Sequence, residues 1–319
     1  MVKKDVSVSG QSSKIAVLIP CYNEEKSIGK VIKDFKKCLP DATIYVFDNN
    51  STDNTSSIAE SSGAVVVSEK RQGKGNVVRA MFRKIEADCY LLVDGDDTYS
   101  AKDAKKLCQP ILDGKADVVI GDRLSSSYFT ENKRPFHNTG NKTVRFLINR
   151  FFKSHINDVM TGYRAMSYEF VKSFPILSKG FEIETEMAIY AVDRNFRIVE
   201  IPISYKDRAS DNPSKLNTYK DGFRVLKTIA ILFKEYRPSF YFNMASTVFY
   251  LLAIILGLPI IIEYYQTGLV PRFPTLIVSG FFVVIGILLN MTGIILQVIV
   301  KKDRQAYELY LNLVNMKKS

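Results

Sequence analysis

Apolar and polar positions divide the chain into two regimes that meet near Pro238. In the first, short apolar runs alternate with helical periodicities. Residues 15–19 form an apolar run closed by Pro20, after which Ile28, Val31, Ile32, Phe35 and Leu39 recur at the spacing of one helix face. Residues 43–47 and 64–68 predict the second and third strands, and Val77, Val78, Met81 and Phe82 place a helix behind Gly73-Lys74-Gly75-Asn76. A fourth strand, beginning at Tyr90, ends in Asp94-Gly95-Asp96-Asp97-Thr98. Beyond it the pattern gives a strand at 117–121, a polar stretch without periodicity at 125–135, and a basic helix from about 138 to 152. A turn dense in hydrogen-bonding side chains follows at 157–164, then a helix at 181–192, a strand at 197–203 and a polar segment at 205–216. Strands alternating with helices at this spacing predict an α/β domain on a mostly parallel, doubly wound sheet. Ligands gather at the carboxyl ends of such strands, and Asn23, Asp48 and Asp94 all lie there.

In the second regime charge disappears. Residues 239–262 and 273–300 are uncharged, and each run exceeds the ~20 residues that cross a hydrocarbon core. Two transmembrane helices are expected, at about 239–263 and 274–300. Ahead of them, residues 219–236 place Lys220, Arg224, Lys227 and Lys234 on one stripe and Phe223, Leu226, Ile229, Ala230 and Phe233 opposite it, as a helix lying in the headgroup interface would. The expected organisation is a catalytic domain over 1–217, an amphipathic interface helix over 218–237, and a membrane hairpin with its tail over 238–319. Gly280, Gly286 and Gly293 would let spans pack closely, within one chain or in a homo-oligomer.

Charge sets the orientation. Lys220, Arg224, Lys227, Lys234 and Arg237 precede the first span, and Lys301, Lys302 and Arg304 follow the second, whereas the connecting loop carries only Arg272. Both flanks should face the cytoplasm. Residues 1–13 are polar and offer no apolar core of a signal peptide, so the expectation is a multi-pass protein of the cell membrane with its catalytic domain and both termini cytosolic. The net charge of +11 collects largely beside the spans, where anionic lipid attracts it, and no nucleic-acid-binding motif accompanies it. Cys21, Cys38, Cys89 and Cys108 are widely separated, as reduced thiols of a cytosolic domain would be, and His137 and His155 lack a ligand-spaced companion.

The chemistry concentrates at Asp94, Asp96 and Asp97, because like charges this close need a positive partner. A divalent cation with hard oxygen ligands, Mg²⁺ or Mn²⁺, would provide it and would also hold substrate phosphates. A solvated acidic turn is the alternative.

The neighbouring motifs bear on that choice. Pro20-Cys21-Tyr22-Asn23-Glu24, Asp48-Asn49-Asn50-Ser51-Thr52-Asp53, Gly73-Lys74-Gly75, Asp94-Gly95-Asp96, Thr161-Gly162-Tyr163-Arg164 and Ser214-Lys215-Leu216 stand in the order found in family 2 glycosyltransferases. More narrowly, the chain resembles the polyprenyl-phosphate glycosyltransferases, the GtrB-like and dolichol-phosphate mannose synthase group, over about residues 14–234 and, by architecture, the two spans.

The resemblance implies a GT-A domain and specific roles. Pro20, Tyr22, Asn23, Glu24 and Asp48 would hold the nucleotide, with Lys74 and Asp94 beside them. Asp94 and Asp96 would handle the metal-bound diphosphate, with Thr98 at a position where the mannose synthases carry a glutamine ligand; Asp97 or water are the other candidates for that position. Arg123, Arg208 and Lys215, with Arg164, would meet phosphate groups of donor or acceptor, and Asp158 would sit in the active site. The reaction implied is inverting transfer of a sugar from a nucleotide sugar to polyprenyl (undecaprenyl) phosphate, supplying lipid-linked sugar for cell-envelope glycan. UDP-glucose or UDP-N-acetylglucosamine are the expected donors, with GDP-mannose behind them. Two rivals stand beside this reading. A processive synthase would carry a Gln-x-x-Arg-Trp motif, and this chain has no tryptophan. A membrane-tethered nucleotide-binding scaffold would keep the fold without the chemistry.

Overall fold

The computed structural model describes residues 13–125, 137–206 and 218–318. Two compact units emerge, the first running to Ile229 and the second covering Ala230–Asn312.

The first unit is built on a seven-stranded sheet. Its elements are β1 (Ser13–Cys21), α1 (Ile28–Cys38), β2 (Thr43–Asp48), α2 (Thr55–Ser61), β3 (Val65–Ser68), α3 (Lys74–Lys84), β4 (Ala87–Leu92), α4 (Ala104–Leu112), β5 (Val118–Asp122), α5 (His137–Phe152), β6 (Arg164–Ser167), α6 (Tyr168–Ser173), α7 (Ile183–Asp193) and β7 (Ile198–Pro202). Spatial order is β3-β2-β1-β4-β6-β5-β7. Residues 16–19 of β1 and 89–92 of β4 are fully buried, which explains why these central strands read as unbroken apolar runs: helices cover both faces.

The expected α/β sheet is therefore present, with one departure. β6 lies between β4 and β5 and runs antiparallel to both, whereas β1, β2, β3 and β4 pair in parallel, as do β5 and β7. Arg164-Ala165-Met166-Ser167 is too short to show a period of its own and follows a polar turn, so the sequence reading ended with the turn. The short helix α6 shows no period either, whereas α4 carries Ala104, Leu107, Cys108 and Ile111 at helical spacing, a signal that the pattern above leaves unused.

Parallel register brings the loops together. Cys21 of β1 pairs with Asp48 of β2, Ser68 of β3 pairs with Asp48, and Val93 donates its backbone N–H to Leu18 at 3.1 Å. The loops after β1, β2 and β4 thus leave one edge side by side, and each contains a non-glycine residue at positive φ: Asn23 (53°), Asn50 (61°) and Asp97 (61°). Asn and Asp tolerate this region best, and such residues concentrate where a site over-determines the backbone.

The second unit is dominated by two long helices, α9 (Pro238–Thr267) and α10 (Phe273–Lys318). Both are long and apolar enough to cross a membrane. Gly268, at φ 70°, ends α9 and donates to the Tyr264 carbonyl at 2.8 Å. The hairpin is held by Ser279, whose hydroxyl donates to the Ala253 carbonyl at 2.9 Å, and by Asn290, which donates to Asn243 at 3.0 Å. Gly257 lies against Ser279 and Gly286 against the Tyr250 ring, while Gly280 meets nothing within 4 Å in the described residues. Leu251, Ile255, Leu258, Phe281, Leu288 and Ile295 are exposed, unlike the side chains of a soluble core helix. α10 continues as helix past residue 300, where the sequence pattern leads one to expect only a tail. Between the units, α8 (Thr218–Tyr236) buries Val225, Ile229, Leu232 and Phe233 and leaves Phe223 and Leu226 exposed, so its apolar face is broader than the stripe read from the sequence.

Candidate active site

The loop after β1 is stitched to the loop after β2. Asn23 takes the Thr52 backbone N–H at 2.8 Å and gives its own N–H to the Ser51 hydroxyl at 2.9 Å; the Glu24 N–H reaches the Thr55 hydroxyl at 2.8 Å. Glu24 and Asp48 are buried beside them, whereas Tyr22 is exposed and Pro20 partly so. One Asp48 oxygen, Oδ2, accepts from the Ser51 N–H at 3.3 Å. The other, Oδ1, is buried with no partner among the described residues. A lone buried carboxylate oxygen costs free energy unless something donates to it, which marks a place for a ligand N–H or O–H.

Asn49 joins this loop to the next. Its amide donates to the carbonyls of Glu69 and Arg71, and its oxygen receives the Gly73 N–H at 2.7 Å, which fixes the approach to α3. At Gly75 a Cβ would stand 2.2 Å from the Ser178 carbonyl oxygen, so only glycine lets α3 start this close to the segment before α7. Lys74 is thereby directed inward. Its side chain is 10% exposed, and its ammonium sits 2.5 Å from Asp94 Oδ1 and 2.6 Å from Glu184 Oε1. Burial works against the charge on Lys74, but Asp94 and Glu184 outweigh it and hold the pKa above the ordinary lysine value. Glu184 is driven upward by its own burial, with Lys74 pulling the other way.

β4 delivers the acidic loop. Asp94 remains 26% exposed, and Gly162 presses against its other oxygen: a Cβ on Gly162 would stand 2.3 Å from Asp94 Oδ2. Asp96 Oδ1 accepts from the Thr98 backbone N–H at 3.2 Å and the Thr98 hydroxyl at 2.7 Å. Thr98 is itself buried, so it positions Asp96. Asp97 turns outward to Lys30 at 2.9 Å and Lys206 at 2.6 Å. The Tyr99 hydroxyl takes the Gly162 N–H at 2.9 Å, and burial raises that phenol to about 12, which keeps it neutral. Gly162→Ala should consequently displace Asp94, reducing any activity at this site by at least tenfold with little loss of thermal stability. Parallel activity and melting measurements would check this, and full activity in the variant would show that Asp94 is free to move.

The third group sits at the end of β5. Arg123 grips Asp158 with both arms of its guanidinium, at 2.7 and 2.9 Å, and donates its backbone N–H to the same carboxylate at 3.1 Å. The Arg123 guanidinium also lies 5.5 Å over the Tyr205 ring. Glu200 of β7 accepts the backbone N–H groups of Asn157 and Asp158, and its burial pushes its own carboxyl upward. Arg164 departs from the expectation of a phosphate contact. It is fully buried, donates to the Thr161 carbonyl at 3.1 Å and to that of Val159, and so ties down the 159–161 turn from beneath. Arg208 and Lys215 fall outside the described residues.

The structure thus gathers Asp48, Lys74, Asp94 and Asp96 along one edge and pairs Arg123 with Asp158. Among the described residues no three His, Cys, Asp or Glu side chains converge as a metal cage. Two partly exposed carboxylates fit a Mg²⁺ or Mn²⁺ ion whose other ligands are diphosphate oxygens and water, the usual manner in which such ions are held. Sequence reasoning missed Glu184 and Glu200. The signal for Glu184 was present: Glu182, Glu184 and Glu186 open a helix that is otherwise apolar.

A family model described as Glycosyl transferase family 2 matches residues 16–174. Glycosyltransferase AglJ of Haloferax volcanii is 33% identical over 298 residues, 91% of this chain and 95% of its own. The dolichyl-phosphate hexose transferase of the same organism is 30% identical over 223 residues, 70% of this chain and 95% of its own. Among solved structures, glucosyl-3-phosphoglycerate synthase from Mycobacterium tuberculosis, in complex with Mn²⁺, uridine diphosphate and glucosyl-3-phosphoglycerate, superposes with a TM-score of 0.57 at 22% identity, covering 68% of this chain and 78% of that one.

Proposed function

Because this chain belongs to glycosyl transferase family 2, we propose that it moves a sugar, with inversion, from a uridine nucleotide sugar to a polyprenyl phosphate at the cytosolic face of the cell membrane. The observation that carries this reading is the union, in one chain, of the Asp48–Asp94–Asp96 edge with two helices long and apolar enough to cross a bilayer. The relative that acts on dolichyl phosphate supports the lipid acceptor.

Asp48 favours uracil over guanine. Its unpartnered oxygen would accept the single imide N–H of uracil, and the UDP held by the fold neighbour supports a uridine donor. GDP-mannose is therefore the weaker donor. Asp94 and Asp96 would hold the metal, and the Mn²⁺–UDP complex of the fold neighbour supports that role. When bound, a divalent cation there would offset the charge gathering on the departing nucleoside diphosphate.

The acceptor needs little help in becoming a nucleophile. A phosphate monoester has its second pKa near ~6 and is largely dianionic at neutral pH. Asp158, with both oxygens on Arg123, is consequently an orienting group: it aims the Arg123 guanidinium, and Arg123 with Arg208 and Lys215 would meet the phosphates. Attack opposite the leaving group inverts the anomeric centre. On α8, the exposed Phe223 and Leu226 beside the basic Arg224 and Lys227 support docking at the headgroup interface, which would hold the site at the depth of the lipid phosphate.

The test is a screen of radiolabelled UDP-glucose, UDP-N-acetylglucosamine and GDP-mannose against undecaprenyl phosphate in membranes containing the protein, with Mn²⁺ or with chelator. Label should enter the lipid-extractable fraction from a UDP-sugar, and only with metal. Label in polymer would indicate a processive synthase, and no transfer from any donor would leave a nucleotide-binding scaffold.

A further inference from the structure

Lys74 poses an electrostatic problem for the metal role of Asp94, because an ammonium 2.5 Å from a carboxylate repels any cation approaching the same group. Arg164, buried beneath, adds a second positive charge that Glu184 and Asp158 both feel. Asp158 is already neutralised by Arg123, and Asp97 by Lys30 and Lys206. An Asp94–Lys74 pair by itself carries no net charge and offers a divalent ion little attraction. Glu184 changes that balance. It reaches from the first turn of α7 to the far side of the Lys74 ammonium, 2.6 Å away, with its side chain 6% exposed and therefore poorly screened by solvent.

We propose that Glu184 is a positioning residue: by sharing the Lys74 ammonium with Asp94, it leaves Asp94 enough negative charge to hold a divalent cation together with Asp96. The inference rests on the metal-dependent reading of the site and specifies what tunes that metal. Glu184 does not touch the metal or the donor. It acts through Lys74, which its carboxylate draws away from full neutralisation of Asp94. The Lys74 ammonium also lies 5.8 Å over the Phe181 ring, a further contact that favours its present position.

The experiment measures Mn²⁺ binding to the full chain in detergent micelles with saturating UDP, reading free aqueous Mn²⁺ by electron paramagnetic resonance. Glu184→Gln, which keeps the shape and an acceptor oxygen but removes the charge, should weaken Mn²⁺ binding by about tenfold or more, the scale of one poorly screened charge acting on a divalent ion. Glu184→Asp should stay close to wild type. Lys74→Gln removes the competing ammonium and should leave binding at least as tight as in the wild type. The double variant Lys74→Gln/Glu184→Gln removes one charge of each sign and should return binding to near the wild-type value, a rescue that a purely structural role for Glu184 would not give. Wild-type binding of Mn²⁺ with Glu184→Gln within twofold of it overturns the inference and leaves the proposed function standing. Equal losses in Glu184→Gln and in the double variant also overturn it. No Mn²⁺ binding by the wild type overturns the metal reading itself. Should Glu184→Gln fail to fold, the double variant decides: binding well below the wild-type value refutes the sharing.

Discussion

Asp96→Asn should lower sugar transfer by about a hundredfold or more, on the scale expected when one preorganised electrostatic contact to a developing charge is removed. The substitution isolates charge from geometry. Asp96 Oδ1 accepts two hydrogen bonds from Thr98, and an asparagine oxygen can accept both, so the loop after β4 keeps its shape while the anionic ligand is lost. Thermal unfolding should accordingly move little, because Asp96 is partly exposed and the substitution keeps both contacts with Thr98. The loss should appear mainly in kcat, with a rise in the Mn²⁺ concentration needed for half-maximal rate. Transfer assays across a Mn²⁺ titration, with a melting curve alongside, would check both. A folded variant that transfers sugar at the wild-type rate would remove Asp96 from the metal site.

How far the site could be read from the sequence depends on the kind of interaction. The carboxyl ends of β1, β2 and β4 were visible because each is an apolar run cut off by polar residues, and parallel pairing of such strands puts their ends together whatever the loops do. Asn23, Asp48 and Asp94 met for that reason. Pairings between distant side chains were not visible. Arg123 and Asp158 are 35 residues apart and become neighbours because β6 inserts antiparallel between β4 and β5, a topology that four residues beginning with a buried arginine do not announce. Arg164 stands as a phosphate-binding cation only through the resemblance carried by Thr161-Gly162-Tyr163-Arg164. In the fold it is buried, with Nε and Nη2 on the carbonyls of that same turn and Nη1 without a hydrogen-bond partner among the described residues. The resemblance offers Lys74 as a nucleotide contact at a helix start, and its place between Asp94 and Glu184 follows from the close approach of Gly75 to Ser178, a backbone contact with no periodic signature.

Asp158→Ala should be the most destabilising single change in the site. The Arg123 and Asp158 side chains are 9% and 2% exposed, so truncating Asp158 takes a bidentate carboxylate from a guanidinium that water reaches poorly. Breaking one side of a buried pair costs about 3–5 kcal/mol, whereas replacing both members with apolar groups of similar volume is often close to neutral. For a domain of this size that corresponds to a fall in Tm of roughly 6–20 °C for Asp158→Ala. The double variant Arg123→Met/Asp158→Leu should melt much nearer to wild type. Scanning calorimetry of the full chain in detergent would measure both. A loss below about 1 kcal/mol in the single variant, the level of a surface ion pair, would mean that the pair is solvated in solution. The double variant then separates stability from chemistry. With the fold retained and the Arg123 charge gone, transfer to polyprenyl phosphate should fall steeply if that guanidinium meets a phosphate. Undiminished transfer would make the pair a strut between β5 and the 157–164 turn, and would leave the cationic work to other residues.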